Sequence, residues 1–383
     1  MYIYERNGSI MRKFLILIVT VAMLAHGFAF FCHAETASVS AESAILMDAD
    51  SGQVLAAKNA YERMGMASTT KIMTALTVLS LASPDETVTV HKQAVGTEGS
   101  SVYLCEGEVM TVEHLLYALL LASANDAAVA LAMHCSDSVE SFADEMNLLA
   151  AELGLENTHF TNPHGLYDEN HYTTAYELAL VTREAMKDQL LSKIFSTYKA
   201  TIPFCGEADK RLVVNHNKML SSYEGAVGVK TGFTKKTGRC LVSAAERDGL
   251  TLICVTLNAP DDWRDHTYLL DYGYENYCRR IFADVGEYTY EFPVVGGVSD
   301  SITLTNTEPL ALTLPKGHSN AEYLIEANCR FNYAPVTRGN IYATLTVSCD
   351  GQSISSPLCA AESVSALTEK SFIDRISDIF EKD

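Results

Sequence analysis

Three short motifs, Ser68-Thr69-Thr70-Lys71, Ser123-Ala124-Asn125 and Lys230-Thr231-Gly232, follow one another along a chain of 383 residues. Together they hold the parts of a serine acyl-transfer site without a catalytic histidine: a nucleophile, two candidate bases and a cation for an anionic substrate. A serine hydroxyl is a weak nucleophile until a base takes its proton. Lys71 follows Ser68 by three residues, one turn along the same face of a helix. Burial and nearby positive charge lower a lysine pKa, so a neutral Lys71 amine can be that base. At a helix start, the Ser68 N–H lies where a developing oxyanion gains from the dipole. Ser123 is expected to relay a proton to the leaving group, and the Asn125 amide to hold a substrate carbonyl or Lys71. Lys230 and the Thr231 hydroxyl would hold a carboxylate. Gly232 permits close approach of a ligand backbone, and the Phe233 N–H would complete an oxyanion hole.

Each motif alone carries little information. Ser196-Thr197-Tyr198-Lys199 repeats the first spacing and Lys236-Thr237-Gly238 repeats the third. Ser68 is preferred because it opens a long apolar run, with Ile72, Met73, Leu76, Leu79 and Leu81 at helical spacing. Lys230 is preferred because Ala226-Val227-Gly228-Val229 leads into it as a strand, whereas Lys236 reads as a hairpin turn. Residues 44–58 read as a hairpin and Thr111 to Leu153 as mostly helical, interrupted at Ser123 to Asp126. Thr173 or Thr174 caps a helix from near Ala175. Residues 223–257 form an antiparallel meander, and Leu269 to Phe282 a closing helix. From 284 to 362 short alternating runs separated by Gly, Asn and Pro read as a small all-β domain. Phe372, Ile373, Ile376, Ile379 and Phe380 form the stripe of a terminal amphipathic helix within 363–383.

Residues 1–34 read as a secretory leader, with Arg12 and Lys13 before an apolar run from Phe14 to Phe31 and Cys32-His33-Ala34 at the cleavage point. An uncleaved amino-terminal helix is the alternative, and the chain is expected to be exported either way. Without Glu5, Arg6, Arg12 and Lys13 the remainder has 25 basic and 47 acidic side chains, a formal charge of −22 against −20 for the whole chain. That excess excludes nucleic acid as a charge-driven partner and makes a local cation such as Lys230 necessary for an anionic ligand. Nine cysteines remain, Cys105, Cys135, Cys205, Cys240, Cys254, Cys278, Cys329, Cys349 and Cys359, without the close pairs of a zinc site. Cys254 reads as a buried small hydrophobe, and a Cys329–Cys349 pairing stays open. No metal or cofactor is called for.

By these motifs the chain resembles the low-molecular-mass penicillin-binding proteins, serine-type D-alanyl-D-alanine carboxypeptidases like penicillin-binding protein 5. Ala49-Asp50-Ser51-Gly52-Gln53-Val54-Leu55, Asn162-Pro163-His164-Gly165-Leu166 and His171-Tyr172-Thr173-Thr174-Ala175 also fit, from about residue 40 to 362. The resemblance implies an α/β (α+β) catalytic domain over 35–283, an antiparallel sheet flanked by helices beside an all-helical lobe, with the site between them. It implies that Ser68 is acylated, Lys71 is its general base, and Ser123, Asn125 and Lys230 to Gly232 are the second and third motifs. The implied substrate is a peptidoglycan stem peptide ending in D-Ala-D-Ala, with β-lactams as covalent inhibitors. The terminal helix is similar to the family's membrane-surface anchor, with ordinary packing as the alternative. Arg264 does not align cleanly with an arginine that some members use for the substrate carboxylate, and it is left out of the site. His164 and His171 read as structural. A serine β-lactamase, with Glu177 as deacylation base, and a D,D-endopeptidase on crosslinks use the same nucleophile. A non-catalytic wall-binding scaffold has little support, since every motif is intact.

Overall fold

The computed structural model describes residues 39–204, 209–317 and 321–367. The leader, Cys205 and the apolar stripe from Phe372 to Phe380 lie outside them.

The N-terminal part is built on a five-stranded antiparallel sheet. Its strands are β1 (Ser43–Asp48), β2 (Val54–Lys58), β7 (Ala226–Thr234), β8 (Gly238–Arg247) and β9 (Leu250–Leu257). They lie in the order β2-β1-β9-β8-β7, which leaves β7 at an edge. Between β2 and β7 come two small hairpins, β3 (Thr87–Thr89) with β4 (Val109–Thr111) and β5 (Lys199–Phe204) with β6 (Asp209–Val214). The longer helices there are α1 (Lys71–Leu81), α2 (Val112–Leu121), α3 (Asn125–Cys135), α4 (Val139–Glu152), α5 (Ala175–Ala185) and α6 (Gln189–Ser196). They form the lobe against one face of the sheet.

The central strands read as continuous apolar runs because both faces are covered. Ile45, Met47, Ile253 and Val255 join the lobe core, while the alternate residues Ala44, Leu46, Leu252 and Cys254 join a second core. That period of two is the pleat of the strand. The second core is closed by α7 (Asp262–Asn276), through Leu269 and Leu270. In the lobe, Leu115, Leu116, Leu119 and Leu120 of α2 are wholly buried, each contributing roughly 1.5–3 kcal/mol relative to exposure.

Two element boundaries differ from expectation. The closing helix starts at Asp262, not Leu269, and Tyr277–Ala283 is a strand, β10. Asp262 and Asp265 sit in the first turn of α7, where carboxylates favour the helix dipole. Asp265 is also spent on Ser40 and Ala41, accepting from both backbone N–H groups at 2.8 Å. The apolar spacing alone begins later and hides this start.

The C-terminal part is all β: β10, β11 (Thr289–Val295), β12 (Ser301–Asn306), β13 (Leu310–Pro315), β14 (Glu322–Ala327), β15 (Asn332–Tyr333), β16 (Ile341–Cys349) and β17 (Gln352–Ala360). The strand β10 pairs with β13, and the other six make one sheet in the order β14-β16-β17-β12-β11-β15. Phe292, Leu304, Leu345 and Leu358 are among its core residues. Single bridges Val336↔Val364 and Gly297↔Ala366 carry extended chain into the stretch expected as helix from residue 363. Cys135, Cys240, Cys254, Cys278, Cys329 and Cys359 are free thiols; Cys329, exposed, is therefore not bonded to Cys349. Among the described residues no helix is long and apolar enough to cross a membrane.

Candidate active site

Ser68 does not lie in an α-helix. It sits in a 3-10 turn, Ala67–Thr70, that leads into α1 at Lys71. The hydroxyls of Thr69 and Thr70 donate to the carbonyls of Met66 and Ala67 at 2.6 and 2.7 Å. Ala67 has a positive φ of 49°, an uncommon conformation for a residue with a side chain. Two glycines press on this turn. A Cβ at Gly165, whose φ is +85°, would stand 1.9 Å from the Ala67 carbonyl oxygen. A Cβ at Gly232 would stand 3.0 Å from Ser68 N and 3.1 Å from Met66 O. Strand β7 and the loop after α4 thus meet at the turn that carries the serine, and at Gly165 only a missing side chain allows it.

The motif side chains converge on one point. Lys71 is completely buried, with its Nζ 3.1 Å from Ser68 Oγ, 2.7 Å from Asn125 Oδ1 and 2.6 Å from the His164 carbonyl oxygen. Two of these three neighbours are carbonyl oxygens, which only accept, so they take two N–H bonds of the amine. In the neutral amine the lone pair is then left for the Ser68 hydroxyl. Burial holds the Lys71 pKa well below the ordinary lysine value; the charge of Lys230 pushes the same way, and Asp126 opposes it. Ser123, with a positive φ of 58° between α2 and α3, accepts at its Oγ from Lys230 Nζ at 3.0 Å. Lys230 also donates to the Thr231 carbonyl at 2.9 Å, and burial brings its pKa down to about 7. The Phe233 side chain, next along β7, is exposed.

The surrounding histidines hold the frame. His171 Nδ1 accepts from Thr161 N at 3.1 Å, which leaves Nε2–H to donate to Thr70 Oγ1 at 2.7 Å. Burial takes its pKa down to about 4. His164 Nδ1 accepts from Leu166 N at 3.2 Å, and burial, then Lys71, takes its pKa down to about 3. The contribution of His164 through its main-chain carbonyl was not legible in the sequence. The fitting stretch Asn162 to Leu166 was the available signal.

The competing copies fall elsewhere. Ser196 closes α6, its hydroxyl donating to the Ser192 carbonyl at 3.0 Å, and Lys199 is exposed at the start of β5. Lys236 lies in the turn between β7 and β8, with its Nζ 5.8 Å from the Tyr167 ring centroid. Arg264 is exposed on α7, across the sheet from the lobe. Both carboxylate oxygens of Glu177, in α5, accept from Asn157 N at 2.9 and 3.0 Å, and Thr158 Oγ1 donates to one at 2.5 Å. A carboxylate so engaged is not poised over a water, so Glu177 does not fit the role of a β-lactamase deacylation base. Among the described residues no group of His, Cys, Asp and Glu is arranged to hold a metal ion.

The arrangement sets a serine hydroxyl against a buried lysine amine between a sheet edge and a helical lobe. The model of the D-alanyl-D-alanine carboxypeptidase family, peptidase S11, matches residues 31–261. The chain is 33% identical to D-alanyl-D-alanine carboxypeptidase DacF of Bacillus subtilis over 346 residues, covering 88% of each protein. It is 34% identical to a D-alanyl-D-alanine carboxypeptidase of Streptomyces sp. K15, covering 96% of that protein but 67% of this chain. The crystal structure of penicillin binding protein 5 from Haemophilus influenzae superposes with a TM-score of 0.70 at 29% identity, over 85% of this chain and 98% of that one. The chain belongs to the D-alanyl-D-alanine carboxypeptidase family.

Proposed function

We propose that the chain removes the terminal D-alanine from peptidoglycan stem peptides through an acyl-enzyme on Ser68, and that β-lactams acylate the same oxygen. The observation that carries this is the Lys71 amine 3.1 Å from Ser68 Oγ, with two carbonyls taking its N–H bonds. The substrate lies along β7, its terminal carboxylate at Lys230 and the Thr231 hydroxyl. Its upstream residues run toward the β7–β8 turn, where a cavity of about 340 Å³ opens beside Gly65 and Tyr167. Ser68 gives its proton to Lys71 and attacks the carbonyl carbon of the penultimate residue. The oxyanion is held by the backbone N–H groups of Ser68 and Phe233, a contribution typically worth roughly 3–4 kcal/mol per donor. Ser123 Oγ accepts from Lys230, so its own O–H is available to the leaving amine, and Lys71 restores that proton. Water, giving a proton to the again neutral Lys71, then attacks the ester carbonyl; the acyl C–O bond to Ser68 breaks and Lys71 returns the proton to Ser68 Oγ.

In this reading the sheet and lobe are the catalytic unit, and the β strands from Tyr277 onward are an appended unit. The leader exports the chain, so the reaction takes place outside the cytoplasm. The segment beyond residue 367 would hold it at the membrane surface.

The test is the intact mass of the chain from residue 35 after brief exposure to benzylpenicillin, beside Ser68→Ala. A persistent adduct on the wild type alone, with release of D-alanine from a D-Ala-D-Ala peptide, is expected. Rapid recovery of hydrolysed penicillin would instead mark a β-lactamase. Intact penicillin with no adduct would leave a scaffold without acyl-transfer activity.

A further inference from the structure

We infer that Asp126 is a positioning residue for acylation: it pins residues 98–104 so that the Asn125 amide keeps its oxygen, not its nitrogen, toward Lys71. The segment is gripped at several points. The wholly buried Asp126 carboxylate accepts from Ser101 Oγ at 2.6 Å, Leu104 N at 3.0 Å and Val102 N at 3.2 Å. The same segment offers two carbonyls to its neighbour in the chain. Asn125 N donates to Ser100 O at 2.7 Å, and Asn125 Nδ2 donates to Glu98 O at 2.6 Å.

A carbonyl oxygen only accepts, so Glu98 fixes which end of the amide faces it. The other end, Oδ1, is thereby left to accept from Lys71 at 2.7 Å. If the segment drifts, the amide is free to turn and present Nδ2–H to Lys71. An N–H donor there binds the amine lone pair, and the lone pair is what Ser68 needs. Asp126 touches neither the serine nor the substrate; it acts through a loop and an amide.

The carboxylate also acts on Lys71 through its field. The groups facing Lys71 are Lys230 from β7, Asp126 from α3, and His164 and His171 from the loop after α4. Of these Asp126 is the one that favours the charged amine. Its removal therefore lets Lys71 shed its proton at lower pH.

The inference rests on Lys71 being the base. Stopped-flow acylation by benzylpenicillin across pH is measured for wild type, Asp126→Asn and Ser101→Ala. Asp126→Asn is expected to lose roughly 10- to 100-fold in acylation rate while the limb governed by Lys71 moves to lower pH. Ser101→Ala, which removes one grip and no charge, loses about 3-fold with the limb unmoved. Wild-type rates in both variants, or a loss in Asp126→Asn that matches its unfolded fraction with the limb in place, overturn the inference. Should Asp126→Asn not fold, a wild-type rate in Ser101→Ala overturns it alone. A wild-type chain that penicillin does not acylate removes the underlying reading instead.

Discussion

Lys71 is a buried amine whose charge the fold disfavours, and the proposed reaction depends on that. Acylation should rise with pH along a limb well below the ordinary lysine range, because only the deprotonated amine accepts the serine proton. Lys71→Ala should cut acylation by at least about 10³-fold, measured as adduct formation with penicillin. Lys236→Ala should leave it within roughly 2-fold, since that side chain stands over Tyr167; a large loss would mean that the wrong lysine was chosen. The motif residues that the structure brings together were legible because the proposed reaction demands their types: hydroxyl, amine, amide. The His164 carbonyl and the Glu98 carbonyl were not, because a main-chain acceptor is available at every residue and sequence does not single one out. Asp126 was visible only as a neighbour of Asn125, with nothing in its type to distinguish a loop anchor from a helix-start carboxylate.

At the scale of elements, the apolar spacing after Ser68 located α1 correctly but not the tighter turn in front of it. Periodicity reports a buried face; the 3-10 turn is set by hydroxyl-to-carbonyl bonds of Thr69 and Thr70 and by the contact with Gly165 and Gly232. Strand β10 was read as helix because Tyr277 to Ala283 continues the spacing of α7; its pairing with β13, more than 25 residues on, is not a local property. The meander from β7 to β9 was legible because its runs are apolar and separated by turns. Gly165→Ala tests the turn directly. The new methyl collides with the Ala67 carbonyl, and the positive φ adds strain. Destabilisation of about 1–3 kcal/mol is expected, read by thermal unfolding. A loss of at least about 10-fold in acylation should accompany it, and a variant with wild-type stability and rate would refute the account of the turn.

For the molecule as a whole, a formal charge of −20 accompanies a cleft proposed to take an anion. Association with an anionic peptide is opposed by that field, so added salt should raise kcat/KM by screening it; a fall with salt would show that local attraction at Lys230 outweighs the total. The composition made the excess of acid plain, while the state of Lys230 depended on burial. Lys230, with a pKa of about 7, is only partly charged in the empty cleft at neutral pH, and a bound carboxylate favours its charged form. Occupancy therefore draws a proton from solution. Calorimetric titration with a D-Ala-D-Ala peptide on the Ser68→Ala chain should give apparent heats that differ between phosphate and Tris at one pH, by an amount proportional to the difference in buffer ionisation enthalpy.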